Sequence, residues 1–257
     1  MVNRLWHHVF GQGIVTTLSD FGFAGSSPTH PELLDWLAME FVENGWSVKY
    51  LLRMMVSSHT FKQASFPNEE GLKADGNSQF LWRYPPKRAE AEVLRDGILL
   101  SAGTLDMQIG GEGYRIHGLK KLFDQWAVTN NYGEHSWRRM LYQERMRRVN
   151  DLMFMAFDFP DCGQVLAKRP VSTTPLQALN MMNSPFVNTQ VSILSDSIVN
   201  DVGRKNIDEQ VEKVFELILT RKPKGQEIEM SKDLVATDGL DALTRAIFNS
   251  NEFAFIR

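Results

Sequence analysis

A mainly α fold follows from three features of the chain. Proline stands at the head of several apolar stretches, as at Pro31, Pro175 and Pro185, where its missing N–H is one that a first helical turn leaves unused. The stretches that follow repeat apolar residues at i, i+3, i+4 and i+7, the spacing of one helix face. Two of them, joined by a short Asn-Gly turn, predict a helical hairpin. Against these, period-2 alternation is scarce, so a few short β-strands are the most that the sequence asks for.

Taken in order, Val2, Trp6, Val9 and Phe10 predict a first helix. It begins with no capping residue ahead of it, which reads as a chain cut from something longer. Gly11 and Gly13 then make a turn, Ile14 to Leu18 suits a short extended piece, and 19–28 is a Gly/Ser-rich loop. Thr29 and Glu32 have capping-box spacing ahead of Leu33, Leu34, Leu37, Phe41 and Val42. Asn44-Gly45 supplies a left-handed stop. Ser47 caps a second helix that carries Val48, Leu51, Leu52, Met55 and Val56.

After a polar loop over 66–79, Pro85-Pro86 open a helix predicted to run to about Gly103, with a glycine-rich loop over 106–118. The segment from Trp137 to Asn150 is ambiguous between alternation and helical spacing, and is assigned as a strand. Helices are then expected at 175–182, 185–199, 207–219, 226–235 and 240–248. The whole is taken as a single helical domain over 1–257, with N-terminal helices (1–66), a central helix and irregular or strand region (80–170) and C-terminal helices (171–257).

Composition bounds the function. At 257 residues, with 43% hydrophobic and 23% charged residues, the chain can bury a sizeable core. A net charge of -3 argues against a nucleic-acid partner gathered by overall charge. No apolar run approaches the length of a membrane span. Cys162 is the only cysteine, so a disulfide within the chain, a multi-cysteine zinc site and an iron–sulfur cluster are all excluded. No cofactor motif is present, and no metal is called for.

Three polar groups are candidates for chemistry. Arg4 and His8 share a helix face with His7 beside them, and Asp20 and His30 bracket the next loop. Arg4, His7, Asp20 and His30 include two histidines and a carboxylate, a sufficient set for a metal or for acid/base catalysis, although the spacing matches no standard metal motif; or else Arg4 and Asp20 form a structural ion pair with His30 packed locally. Glu92 and Asp96, one turn apart beside Arg88 and Arg95, suit a divalent cation, an acid/base pair or a ladder of i, i+4 ion pairs. Arg138, Arg139, Arg145 and Arg147, with Trp137 and Tyr142, offer guanidinium forks and stacking rings to an acidic glycan; the alternative is pairing within the fold. Cys162, with His117 or His135 as its base, is a weaker nucleophile candidate than a small buried side chain.

Several blocks carry a resemblance. They are NRLWHHVFGQGIV (3–15), DFG (20–22), PTHPELLDWLAMEF, GWSVKYLLRMMVSSHTFKQAS, KRAEAEVLRDGILLSAG (87–103), FDFPD (157–161), STTPLQALNMMNSPFV (172–187) and AIFNSNEF (246–253). Together they resemble domain of unknown function 1553, the C-terminal domain of large exported planctomycete proteins that often carry a c-type cytochrome module. Residues 137–142 look like that family's R-R-x-x-Y strand. The resemblance implies an extracytoplasmic or periplasmic setting, upstream domains of a parent protein as partners, and an accessory or interaction role in processing complex, possibly sulfated, polysaccharide. Two alternatives stand beside it: a hydrolase or redox-coupled carbohydrate enzyme with a His/Asp/Arg site, and a structural partner of the cytochrome module.

Overall fold

Helices carry the chain through a computed structural model that describes residues 1–116, 133–145, 152–160, 163 and 165–256. It divides into two compact units: Met1–Lys87 with Leu166–Lys168 and Ile256 form the first, and Arg88–Val165 with Arg169–Phe255 the second.

In the first unit, α1 (Val2–Phe10) buries Val2, Trp6, Val9 and Phe10, the stripe that its spacing predicts. Gly11 closes it in the left-handed conformation at φ 79, donating its N–H to the His7 carbonyl. Lys87 Nζ donates to the His8 carbonyl at 2.7 Å, and the Tyr84 hydroxyl to that of Val9 at 3.0 Å. Carbonyls left open at the helix end are thereby satisfied. Asn3 is buried and doubly bonded to Val15, Nδ2 donating to its carbonyl and Oδ1 accepting from its N–H, both at 2.9 Å. That bracket, not a strand ladder, fixes the extended piece after Gly13.

The hairpin forms as expected, with two corrections. α2 (Pro31–Glu43) has His30, not Thr29, at its N-cap, and no side chain caps it. The Thr29 hydroxyl instead reaches the Ile14 carbonyl at 3.3 Å and His30 Nδ1 at 2.8 Å, so no capping box forms. The stop behaves as predicted: Gly45 (φ 66) donates to Val42 and Trp46 to Phe41, the Schellman pattern. α3 (Val48–Ser57) is capped by Ser47 Oγ, which accepts from the Tyr50 N–H at 3.3 Å. Leu37, Phe41, Leu51 and Met55 are buried, whereas Val42, Val48 and Val56 are exposed. Three helices sharing one core cover only their inner stripes. α4 (Glu69–Ala74) is a short turn capped by Asn68.

Strand β1 (Lys87–Arg88) pairs with β2 (Phe255–Ile256). Because that pairing occupies 87–88, and Ala89 donates to the Ala254 carbonyl at 2.8 Å, helix α5 starts at Ala91 rather than just after Pro86 and runs to Ser101. The strand assigned to 137–150 is also corrected over its described part. Residues 134–136 and 140–142 are single 3₁₀ turns, and only isolated bridges, Asp106 with Arg138 and Tyr114 with Gln143, remain of a ladder. Residues 146–150 lie outside the described residues.

After the short α6 (Leu152–Met155) come α7 (Pro175–Asn183), α8 (Pro185–Val202), α9 (Ile207–Leu219), α10 (Gln226–Asp238), α11 (Leu240–Phe248) and α12 (Asn251–Ala254). The five long ones match expectation closely: α7 and α8 start on proline and α9 is capped by Asn206, while α10 and α11 start after Gly225 and Gly239 with no side-chain cap. α8 is central to the second unit's core. It presents Phe186, Val187, Val191, Leu194 and Ile198 to Val211, Val214 and Phe215 of α9, Leu243 and Phe248 of α11, and Leu94 and Ile98 of α5. Among the described residues, no helix is long and apolar enough to cross a membrane.

Candidate functional site

The polar residues of α1 and the following loop are not gathered into one cluster. Arg4 and Asp20 are exposed, and among the described residues no ion pair joins them. Asp20 turns back on its own loop, accepting from the Gly22 N–H at 3.1 Å. His30 bonds Thr29 and sets its ring edge-on to Phe80 at 5.9 Å. His7 is the unusual member. Its Nδ1 is buried without a partner, and burial, then the neighbouring His8, Lys168 and Lys87, pull its pKa down to about 4. An imidazole so reluctant to take a proton is a poor general base at neutral pH. Among the described residues, no three His, Cys, Asp or Glu side chains come together as a metal site.

In the second unit the charged side chains of α5 pair outward. Arg169 bridges Glu90 at 3.0 Å and Glu92 at 2.8 Å, so Glu92 and Asp96 have separate partners and do not share a cation. The expected Arg88–Glu92 pair is replaced, since Arg88 turns to Asp158. Among the described residues Arg95 is the most buried arginine, its side chain 2% exposed. It donates to the Arg138 carbonyl at 2.8 Å and to the Ser136 carbonyl, pairs with Asp96 at 3.1 Å, and lies over the rings of Tyr114 and Phe186. Asp96 in turn accepts from the Met140 N–H with both oxygens, at 2.9 and 3.1 Å. Two side chains of one helix thus hold the main chain of 136–140, which is why that segment needs no strand ladder.

The arginines considered for a glycan are engaged in the same way. Arg138 donates to the carbonyls of Gly110 and Glu112, both at 2.6 Å, and stacks over Tyr142 at 4.3 Å. The Tyr142 hydroxyl accepts from the Gly110 N–H at 2.8 Å. The glycine-rich loop is clamped at both faces, and at Gly113 a Cβ would stand 2.7 Å from the Tyr142 carbonyl oxygen, leaving room for glycine only. Arg145 donates to the Pro160 carbonyl and lies 4.0 Å over Phe159. Trp137 packs against the core. Arg139 is exposed. Arg147, with Cys162 and His117, lies outside the described residues, and His135 Nε2 meets the Arg115 carbonyl at 3.2 Å.

The second unit also has a cavity of about 110 Å³. Its apolar lining includes Leu94, Phe157, Met181 and Phe248; its polar lining is Arg88, Thr173, Thr174, Gln177, Asn249 and Asn251. One network builds the polar side. Asp158 sits at φ 58, a left-handed conformation that Asp tolerates better than most residues. From there its carboxylate reaches Arg88 at 2.5 Å and accepts from the Ser172 N–H at 2.8 Å and hydroxyl at 2.9 Å. Burial raises its pKa, but the Ser172 and Arg88 bonds outweigh that and leave it below the ordinary carboxylate value. Arg88 also donates to the carbonyls of Ser172 at 2.5 Å and Phe157 at 3.2 Å. Gln177 Nε2 bonds the carbonyls of Ala156 and Ser172, and its Oε1 accepts from the Thr174 N–H at 3.4 Å. Arg88 Nε is left buried with no partner.

Sequence reading missed Thr173, Thr174, Gln177, Asn249 and Asn251 as a set. Each looks like ordinary punctuation at a helix end, and no spacing rule brings 88, 173–177 and 249–251 together.

Comparison with known families decides what the chain is related to. The model of PSD1, a protein of unknown function (DUF1553), matches residues 1–235. The chain belongs to that family. The DUF1553 match takes in Arg88, Phe157, Thr173, Thr174 and Gln177, and stops short of the cavity wall formed by Phe248, Asn249 and Asn251. No curated protein and no solved structure matches the sequence.

Proposed function

We propose that this DUF1553 chain is a binding module of an exported protein, accessory to the processing of complex polysaccharide, and that its ligand enters the cavity beside Arg88. One observation carries the reading. The polar lining consists of a guanidinium, two hydroxyls and three amides, groups that recognise hydroxylated or carbonyl-bearing ligands, with no side chain among them that titrates near neutrality. The polysaccharide setting rests on the family resemblance. Arg138 and Arg145 already hold main-chain carbonyls, which weakens the case for a separate acidic-glycan surface built on 137–147. The dispersed positions of Arg4, His7, Asp20 and His30 likewise weaken the enzyme reading.

The test is the midpoint of thermal unfolding in the presence of neutral, uronic, acetylated and sulfated oligosaccharides, for the natural chain and for Ala178→Leu, which adds bulk at an exposed lining position of the cavity on α7. A ligand that binds the folded state at about one hundred times its Kd stabilises by about 2.7 kcal/mol. The expected result is an upward shift with at least one oligosaccharide class, absent in Ala178→Leu. A shift that survives Ala178→Leu and vanishes in His7→Ala/His30→Ala would favour the enzyme site. A cooperative transition that no oligosaccharide moves would favour a structural role.

A further inference from the structure

We propose that the outer face of the α2–α3 hairpin pairs with the same face of a second copy of this chain, α2 of each copy lying on α3 of the other.

The apolar part of the face suits an interface. α2 and α3 turn their inner stripes to the core they share with α1. Helix period then puts Trp36 and Met39 of α2 on the side that looks away, with Tyr50 of α3 beside them. The two helices are tied on that side, since the Tyr50 hydroxyl donates to Glu40 at 3.0 Å. Trp36 is 48% exposed, and Trp46, in the turn, is 64% exposed with its ring held edge-on to Phe41 at 5.3 Å. Tryptophan, tyrosine and methionine are the residue types that concentrate at the centres of protein interfaces. At their exposures Trp36, Trp46 and Tyr50 offer a partner about 200–400 Å², taking the roughly 150–250 Å² that an aromatic side chain buries. Met39, Val42 and Val56 extend the patch to the size that marks an interaction surface. Rings already held in place lose little freedom when a partner covers them.

Charge names the occupant. Every charged side chain of α2 is acidic (Glu32, Asp35, Glu40 and Glu43), and every charged side chain of α3 is basic (Lys49 and Arg53). Glu32, Asp35, Glu43, Lys49 and Arg53 are exposed, and among the described residues no ion pair joins any of them within the fold. The face is therefore acidic along one helix and basic along the other. A two-fold axis parallel to the helices sets the acidic half of one copy on the basic half of the second, with both turns at the same end and Glu43 near the second copy's Lys49. An axis across the helices would instead lay α2 on α2 and bring like charges together. Only the first arrangement is self-complementary, and a contact of that kind closes as a dimer. A polyanion would meet the carboxylates of α2, and a polycation the charges of α3.

The experiment is analytical ultracentrifugation of the full chain across the micromolar range, at low and high salt. It is repeated on Lys49→Glu/Arg53→Glu, on Glu32→Lys/Asp35→Lys/Glu43→Lys, on the chain carrying all five substitutions, and on Met39→Glu. All these positions are exposed, so none of the substitutions removes a core contact. The natural chain is expected to pass from the mass of one chain to that of two as concentration rises. A micromolar Kd is expected for an interface at the small end of specific contacts, and weaker pairing at high salt, where exposed charges are screened. Reversing the charge of either helix alone should weaken the pairing at least about tenfold, because like charges then face each other. Reversing both should restore it, since α2 and α3 are again opposite in sign. Met39→Glu, which puts a charge into the apolar centre, should hold the chain at the mass of one. A natural chain that stays at the mass of one up to high micromolar concentration would overturn the proposal and leave the face to a partner of another kind. Pairing that survives Met39→Glu and both single-helix reversals would place it on another surface and overturn the proposal as well. Weakening in each reversal that the joint reversal does not restore would contradict α2 lying on α3.

Discussion

Arg95→Ala will cost the second unit about 3–5 kcal/mol, the range for removing one partner from a buried charged network. Its side chain is 2% exposed, so the substitution opens a cavity as well as deleting a charge. The carbonyls of Ser136 and Arg138 lose their donor. Asp96, whose pKa burial already raises against the Met140 bond and the Arg95 charge, loses that charge. The contacts with the Tyr114 and Phe186 rings go at the same time. Because 136–140 has almost no ladder of its own, loosening should spread into the glycine-rich loop that Arg138 and Tyr142 clamp. Chemical denaturation measures the loss, and hydrogen exchange should show Met140 and Gly110 amides losing protection before those of α8. Arg95→Lys should recover only part of it, since an ammonium cannot reach two carbonyls and a carboxylate in one plane.

Asp158 will prove nearly as costly. Asp158→Ala leaves Arg88 without its counter-charge, leaves the Ser172 N–H and hydroxyl unpaired, and places a Cβ-bearing residue with no polar side chain at φ 58. A loss of about 3–5 kcal/mol is expected. Asp158→Asn tolerates the left-handed backbone and keeps an acceptor, so it should lose about 1–2 kcal/mol, the value of charge assistance alone. Asp158→Gly separates the two effects: it relieves the backbone but supplies no acceptor, and should fall close to Ala. If Gly instead restored full stability, backbone strain and not the Arg88 network would be what Asp158 manages. Urea midpoints of the three variants decide between these outcomes.

The pattern of what could be read in advance has a physical basis. Thr174-Pro175, Ser184-Pro185 and Asn44-Gly45 announce helix ends through local hydrogen bonding, and the apolar stripes of α1, α8, α9 and α11 follow from helix period alone. The exposed Val42, Val48 and Val56 have the same spacing as core residues; only the number of neighbouring helices decides their burial, and spacing does not contain it. Over 137–145 no strand forms, because the main chain of that segment is held by side chains from α5, and a main-chain carbonyl is present at every residue. For the same reason the arginines of 138–145 could not be told apart from an open basic surface. The cavity is invisible in sequence because its polar lining joins Arg88 to 173–177 and 249–251, residues explicable locally as caps or turns. Even Asp158, within the recognisable FDFPD block, gives no sign in sequence that it pairs with Arg88.

A ligand that enters beside Arg88 must pass the methyl group of Met181, which therefore reports its arrival directly. Met181 is buried and lines the cavity, whereas Met39 lies exposed on α2 in the other unit. With ¹³C-methyl-methionine labelling, and Met181→Leu to assign the signal, an oligosaccharide that raises the unfolding midpoint should move the Met181 resonance saturably while Met39 stays in place. A Met181 resonance that stays fixed at every oligosaccharide concentration, or that moves only in step with Met39, would contradict the account.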